Sequence, residues 1–492
     1  MRPLFLTFAL ITNFILYTFS QSYTLSVNNA FGGGVYNEGD TVYVWGNPDF
    51  NDYAFDGWTG TATNYMLEPN EWITRIVVPA GSGISTLNAS AQLTDIATTT
   101  IFSTENITLP ALSGTTTTTT SKSIHYRVPQ NPKGIIFCFH GTNGSGLGFT
   151  NDIEKASFFK SGVLRDYIMV ATDANEKTMG DQNGDNKKRW QIFNGTIDNL
   201  TNNIDLQLIQ ALKDTIFNQM SLPQSFPCFA LGVSNGANFA DLCAAALDFN
   251  ASGHITGNGI PNVYTRPDSK PVIFIQSEND QHDNAIPAVP IMNHNTLLSR
   301  NIASELHWHK KNPIYKFRFV RNADMLVTPS ISDSIFQRMQ NTIGLLDAKN
   351  IIQIAEISQL PSNLFDNLGL TNSTITDCEN QIKIVNADHK FHSHYSNRIL
   401  DFFDAHLNIT TDINDPEILD EPILFPNPVT NILYIQNMPL NSEMQIFSLN
   451  GTLMAHFSNQ TEINVSHFNS GIYILVLQTE QQQYVQKFIK SD

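Results

Sequence analysis

Cysteine is scarce in this chain: four in 492 residues, too few for a fold stapled by disulfides. None stands in a C-x-x-C pair, the spacing that structural zinc sites use. Cys138 and Cys228 fall in expected core strands and Cys243 on an expected helix, which favours buried thiols, with a bridge from Cys378 left open. Basic residues are also few, 28 against 45 acidic ones, and the net charge of −17 argues against nucleic acid and anionic membrane surfaces as partners. After the N-terminus no apolar run is long enough to span a bilayer, so no stable membrane insertion is expected. What is present is 41% hydrophobic and 15% charged residues, sufficient for a large core and several domains.

Met1-Arg2, an apolar stretch from Leu4 to Leu16, and Thr18-Phe19-Ser20 before Gln21 read as a secretory signal peptide over residues 1–20. Residues 21–97 read as a small β-rich module: Tyr23 to Val27 alternates, Thr41 to Trp45 follows a turn, and Ile76-Val77-Val78 precedes Pro79. Residues 98–122, with a run from Thr115 to Thr120, read as a threonine-rich linker. Over 123–408 apolar strands alternate with helical patterns, the sign of a mostly parallel sheet flanked by helices. The expected strands are 134–139, 167–171, 227–231, 271–275 and 381–385, and four of the five end beside candidate chemistry, at the carboxyl ends where open α/β sheets place their sites. An acidic linker over 409–421 leads to a second β module over 422–492.

The chemistry centres on Gly232-Val233-Ser234-Asn235-Gly236. Pro227 to Leu231 before it is strand-like, and Phe239, Leu242, Cys243, Ala246 and Leu247 after it keep helical spacing, so Ser234 sits on a sharp strand-to-helix turn as a nucleophile does. Glycines flank it because strand and helix approach too closely there for side chains. Acyl transfer also needs a base, an acid to orient it, and donors for the oxyanion. His140-Gly141-Thr142 follows the first expected strand; the backbone N–H of Thr142 and that of Asn235 are the oxyanion donors, and His140 is the structural member of that loop. Glu278, Asp280 and Asp283 crowd after the strand 271–275, and Asp280, about five residues past it, is the favoured acid. His389, His392 and His394 follow Val385 and precede a helical run; His389 is the favoured base, His392 its competitor, and His394 a surface residue. With Asp388 these histidines have loop-like spacing and no companion ligand cluster, so no metal and no cofactor is expected. Trp190 is open to two readings, pocket wall or core. Asp181 to Asn186 is oxygen-rich but lacks the closing bidentate Glu of a calcium loop. The order Ser234, Asp280, His389 is the chain order of α/β-hydrolases.

Three resemblances attach to these residues. The elbow from Leu231 to Ala240, with Phe139-His140-Gly141 and Trp190, resembles secreted esterases related to polyhydroxybutyrate depolymerases, feruloyl esterases and acetylxylan esterases, over most of 123–408. Ala237 replaces that family's usual second glycine, and the hundred or so residues between Asp280 and His389 exceed its usual length. This implies a cap insert at about 284–380, to which Trp308 and the Pro287–Pro290 stretch are assigned. Phe55-Asp56-Gly57-Trp58 resembles internalin-type B repeats, with Trp58 favoured as a core residue. Pro426-Asn427-Pro428, the Ser448-Leu449-Asn450-Gly451 turn and Gly471 to Leu475 resemble the C-terminal sorting domain of type IX secretion, which implies export across an outer membrane by that machinery.

The expectation is therefore an α/β-hydrolase domain flanked by two small all-β modules. Its function would be that of a secreted or surface serine esterase acting through an acyl-enzyme on polysaccharide-linked esters or a polyester. A serine peptidase and a catalytically inactive surface binding protein are the alternatives.

Overall fold

The computed structural model describes residues 21–46, 53–96, 100–110, 119–181, 184–192, 202–282, 285–320, 327–407, 423–436, 442–448, 452–458, 460–478 and 483–491. The expected signal peptide, the 409–421 linker and Asp283 lie outside them. The chain divides into two compact units, Met1–Ile409 and Thr410–Asp492.

At the centre of the first unit is an eight-stranded sheet built from β1 (Thr100–Pro110), β2 (Thr119–Pro129), β3 (Gly134–Phe139), β4 (Tyr167–Thr172), β5 (Cys228–Val233), β6 (Ala251–Ile255), β7 (Val272–Ser277) and β8 (Ser304–His309). Its spatial order is β1-β2-β4-β3-β5-β6-β7-β8. From β4 to β8 all neighbours are parallel, while β2 runs antiparallel to both β4 and β1. The strands β3 to β7 are buried along their whole length, which is why they read as unbroken apolar runs: helices cover both faces of such a sheet. One face packs Phe137, Phe139 and Ala230 against α2 (Ile204–Met220) and α3 (Asn235–Ala246). The other packs Ile136, Phe229 and Ile273 against α1 (Ile153–Leu164) and α7 (Ser396–Asp404). In the chain, α4 (Ala288–Leu298), α5 (Pro329–Asn341) and α6 (Asn372–Val385) come between α3 and α7.

Several sequence expectations are corrected. Residues 381–385 are the last turn and a half of α6 rather than a strand; Cys378, Ile382 and Val385 face a local core with Ile335 and Met339, a spacing of four and three that only a helix brings to one side. Much of the expected linker at 98–122 is strand: β1 pairs with β2 from Thr100 opposite Pro129 to Pro110 opposite Thr119. The expected insert at 284–380 is shorter than its bounds, because α4 and β8 belong to the main layers and Trp308 sits in β8. All four cysteines are buried and free.

The N-terminal strands form two facing sheets, one of four strands and one of three, around Trp45, Trp58, Trp72 and Ile76. Trp58 is a core residue, and its indole N–H donates to the Glu71 carbonyl at 2.9 Å. The eight-stranded sheet with its helices and this sandwich are one packed body. Phe31 stacks on Phe317 with centroids 5.4 Å apart, the Arg318 guanidinium lies 4.7 Å over the Trp45 ring, and Trp72 donates to Ser393 Oγ at 2.8 Å. The Glu71 carboxylate accepts the Arg398 N–H at 3.2 Å in the first turn of α7, where the helix dipole favours an acid. The second unit contains two small antiparallel sheets with a core of Leu433, Ile446, Leu475 and Phe488.

Trp45 therefore works for both parts. Trp45→Ala is expected to cost about 3–5 kcal/mol in urea unfolding followed by tryptophan fluorescence and circular dichroism, with both probes moving together. A sandwich melting alone, ahead of the helices, would contradict the single packed body.

Candidate active site

Ser234 lies at the end of β5, with φ 56° and ψ −120°, a backbone conformation that a residue with a side chain adopts only under strain. Its flanking glycines explain how the strain is imposed. A Cβ at Gly232 would stand 2.0 Å from the Gly236 carbonyl oxygen, and one at Gly236 would stand 2.4 Å from the carbonyl oxygens of both Phe139 and His140. The first turn of α3 is thus pressed against β3 and β5, and the turn that joins them has room only for the strained form. The Ser234 N–H is held by the Ile255 carbonyl at 3.0 Å. Gly236→Ala is expected to cost about 3 kcal/mol or more in chemical denaturation, since the blocking atoms are backbone and cannot swing aside.

Asp280 and His389, 109 residues apart, meet: Asp280 Oδ2 accepts from His389 Nδ1 at 2.6 Å. The other carboxylate oxygen accepts the His282 N–H at 3.0 Å, and the Asn279 N–H donates to the Ala387 carbonyl at 3.0 Å, joining the two loops. With Nδ1 donating, His389 Nε2 carries the lone pair; this atom is buried and has no partner among the described residues. Ser234 and His389 line the same two cavities, of about 230 and 280 Å³. Glu278 is taken up elsewhere, accepting the Lys311 N–H at 2.6 Å. His392 lines neither cavity: it is 1% exposed and packs 4.0 Å from the ring of His309. His394, expected at the surface, lies beside the same His309 ring at 4.7 Å.

Thr142 lines both cavities and Asn235 one of them. Neither backbone N–H has an acceptor among the described residues, as the first N–H of a helix must lack one. The Asn235 side chain does a different job: its Oδ1 accepts the Trp190 N–H at 2.8 Å and its Nδ2 donates to the Trp190 carbonyl at 3.2 Å. Trp190 is fully buried, stacked on Phe239 at 4.7 Å, and donates its indole N–H to the His140 carbonyl at 2.9 Å. It supports the wall from behind and lines neither cavity. His140 Nδ1 donates to the Gly141 carbonyl at 2.7 Å while Nε2 accepts the Ala174 N–H at 3.0 Å, and burial pushes its pKa down to about 4. Both nitrogens are occupied, so this histidine holds the Thr142 loop in place.

One residue escaped sequence reasoning. The His282 ring stacks on that of His389 with centroids 4.5 Å apart and lines both cavities; only its position two residues after Asp280 could have flagged it. Asp181 accepts from the N–H groups of Gly184 and Asn186 at 2.8 and 2.6 Å, so its carboxylate staples its own loop.

Comparison with known proteins bears first on the second unit. Residues 423–491 match the model of the secretion system C-terminal sorting domain. The chain ends in a type IX sorting tail. That tail indicates export to the cell surface or beyond it. No curated protein matches the chain in sequence. Among solved structures, esterase PE8 aligns at 17% identity over 42% of this chain and 89% of its own, with a TM-score of 0.29. An acetyl xylan esterase from Aspergillus awamori aligns at 14% over 38% and 76%, TM-score 0.30. An S-formylglutathione hydrolase from Agrobacterium tumefaciens aligns at 10% over 43% and 88%, TM-score 0.32.

His140 gives a pH test. An unfolded imidazole takes a proton near 6.5, whereas the folded one resists until about 4. Between those values the unfolded state binds more protons, so stability is full above 6.5 and falls as the pH drops through the window, by about 3 kcal/mol for this group. Urea unfolding at pH 7 and pH 4.5 is expected to show a smaller loss in His140→Gln, whose amide can keep both hydrogen bonds.

Proposed function

We propose that this protein is an exported serine esterase. The observation that carries the reading is a carboxylate-oriented histidine whose Nε2 is unpartnered, opening on the same cleft as a serine held at φ 56°.

In the reaction, Ser234 Oγ attacks the ester carbonyl carbon and its proton passes to His389 Nε2. Asp280 holds His389 in the tautomer with Nδ1 protonated and stabilises the imidazolium that forms. The N–H groups of Thr142 and Asn235 receive the oxyanion; such donors are typically worth about 3–4 kcal/mol each. Collapse breaks the carbon–oxygen bond to the alcohol, which leaves with the proton from His389. Water then attacks the acyl-enzyme by the reverse sequence, giving the carboxylic acid and free Ser234.

The two cavities flank Ser234 as separate lobes. One is walled by Arg189, Asn238, Thr256 and Asn258, the other by Asp152, Lys155 and Lys390. Small volume favours a short acyl group, and the charged and amide side chains that share the walls with Ile192, Val233, Ile384 and Phe391 favour a hydroxyl-rich alcohol, hence an ester carried on a polysaccharide in preference to an apolar polyester. Export by the sorting tail would bring the enzyme to such material outside the cell.

The test is hydrolysis of nitrophenyl acetate and of an acetylated oligosaccharide by the full chain. Ser234→Ala and His389→Ala are each expected to lower kcat by about 10³-fold or more, and Asp280→Asn by up to about 10⁴-fold. Activity unchanged in Ser234→Ala would remove Ser234 as the nucleophile, no hydrolysis by the wild type would leave the inactive binding-protein reading, and faster cleavage of peptide amides than of esters would favour a peptidase.

A further inference from the structure

Outside the catalytic cleft, three imidazoles meet where β8 ends. His309 is the last residue of that strand, and His392 and His394 come from the loop that carries His389. One ring nitrogen from each lies within 4.8 Å of the other two. The rings of His309 and His392 stack at 4.0 Å, and that of His394 stands edge-on to His309. His309 and His392 are buried, and His394 is partly so. Unpaired polar atoms inside a protein are costly, yet both nitrogens of His392 and Nε2 of His394 are buried without a partner among the described residues. His309 donates its Nε2 proton to the Ile384 carbonyl at 2.8 Å, which leaves the lone pair on Nδ1. A backbone carbonyl behind a ring in this way fixes its tautomer and orientation for a ligand on the other side.

We propose that His309, His392 and His394 bind a divalent zinc-class cation, with water from an adjoining cavity as the fourth ligand. Three neutral imidazoles and one open position are a known tetrahedral donor set for zinc. Burial holds His392 and His394 neutral, the form a metal requires. The nearby charges are a matched pair: Arg318 meets Glu154 at 3.3 Å, and Glu154 in turn accepts from the N–H and Oγ of Ser393, between two of the ligands. Access comes from a cavity of about 520 Å³ between the sandwich and the hydrolase layers, lined by His309, His394, Glu71 and Arg75. A zinc–nitrogen distance of about 2.0–2.1 Å requires the three nitrogens to draw closer than 4.8 Å, which rotation of the half-buried His394 can supply. The cation would tie β8, α6 through Ile384, and the base-bearing loop into one joint, without touching Ser234 or His389.

The experiment is metal content and titration on the full chain, purified with chelator and then given zinc, with cobalt as a spectroscopic substitute. One zinc per chain after dialysis and visible cobalt bands are expected. Binding should be weakened by about tenfold or more in His309→Ala and in His394→Gln, and retained in Ser234→Ala. Bound zinc should also raise the melting temperature of the wild type but not of His394→Gln, a variant at a half-buried position chosen to fold. No stoichiometric binding, or binding that is undiminished in both ligand variants and so belongs to surface groups, overturns the proposal. Neither outcome depends on whether the esterase reading holds.

Discussion

The close contact of α3 with β3 and β5 is the constraint on which the site depends. Two positions without side chains, Gly232 and Gly236, let backbone meet backbone at distances where a Cβ could not stand. The connection between strand and helix is then so short that Ser234 is held in a strained conformation, and the stability of the buried layers sustains the cost. The same contact leaves the first N–H of α3 without an acceptor beside the Thr142 loop, which Trp190 and His140 brace from the other side. The positions of the proposed nucleophile and of the proposed oxyanion donors are thus two results of one packing event.

The proposed base, His389, is held by a separate system. The loop from Asn386 to Tyr395 is tied to the acid loop through Ala387 and Asp280 and to β8 through Tyr395, whose hydroxyl donates to the Trp308 carbonyl at 3.0 Å. It is tied to the N-terminal sandwich through Trp72 and Ser393. Ala387 itself sits at φ 52°, as does Thr256 in the cavity wall, so Ser234 is not alone in carrying a left-handed φ in the functional region. The sandwich therefore has a mechanical part in the site, although none of its residues lines the cavities around Ser234.

How much of this was legible depended on how local each signal was. The elbow is five consecutive residues with a strand before and a helix after, so local pattern sufficed. The acid and base loops could be found because each follows an apolar segment and precedes a helix, although the segment before His389 was mistaken for a strand: Ile382, Ile384 and Val385 mimic alternation over five residues, and the helix shows only when Cys378 is included. The run Thr115–Thr120 suggested a linker by composition, while Thr119 and Thr120 open β2, where β-branched residues are at home. β6, Ala251–Ile255, and β8, Ser304–His309, were passed over because small or polar residues dilute their apolar character. The histidine cluster could not be read at all, since His309 stands 83 residues before His392 and only the sheet brings them together.

The most direct measurement of the central claim is covalent labelling of the full chain with a serine-directed fluorophosphonate, followed by mass spectrometry of the peptides. A serine activated by the His389–Asp280 pair in a strained elbow is expected to give one adduct, on Ser234, with labelling slowed by several orders of magnitude in His389→Ala. No adduct on the folded protein, or an adduct on Ser234 that forms as fast without His389, would contradict it.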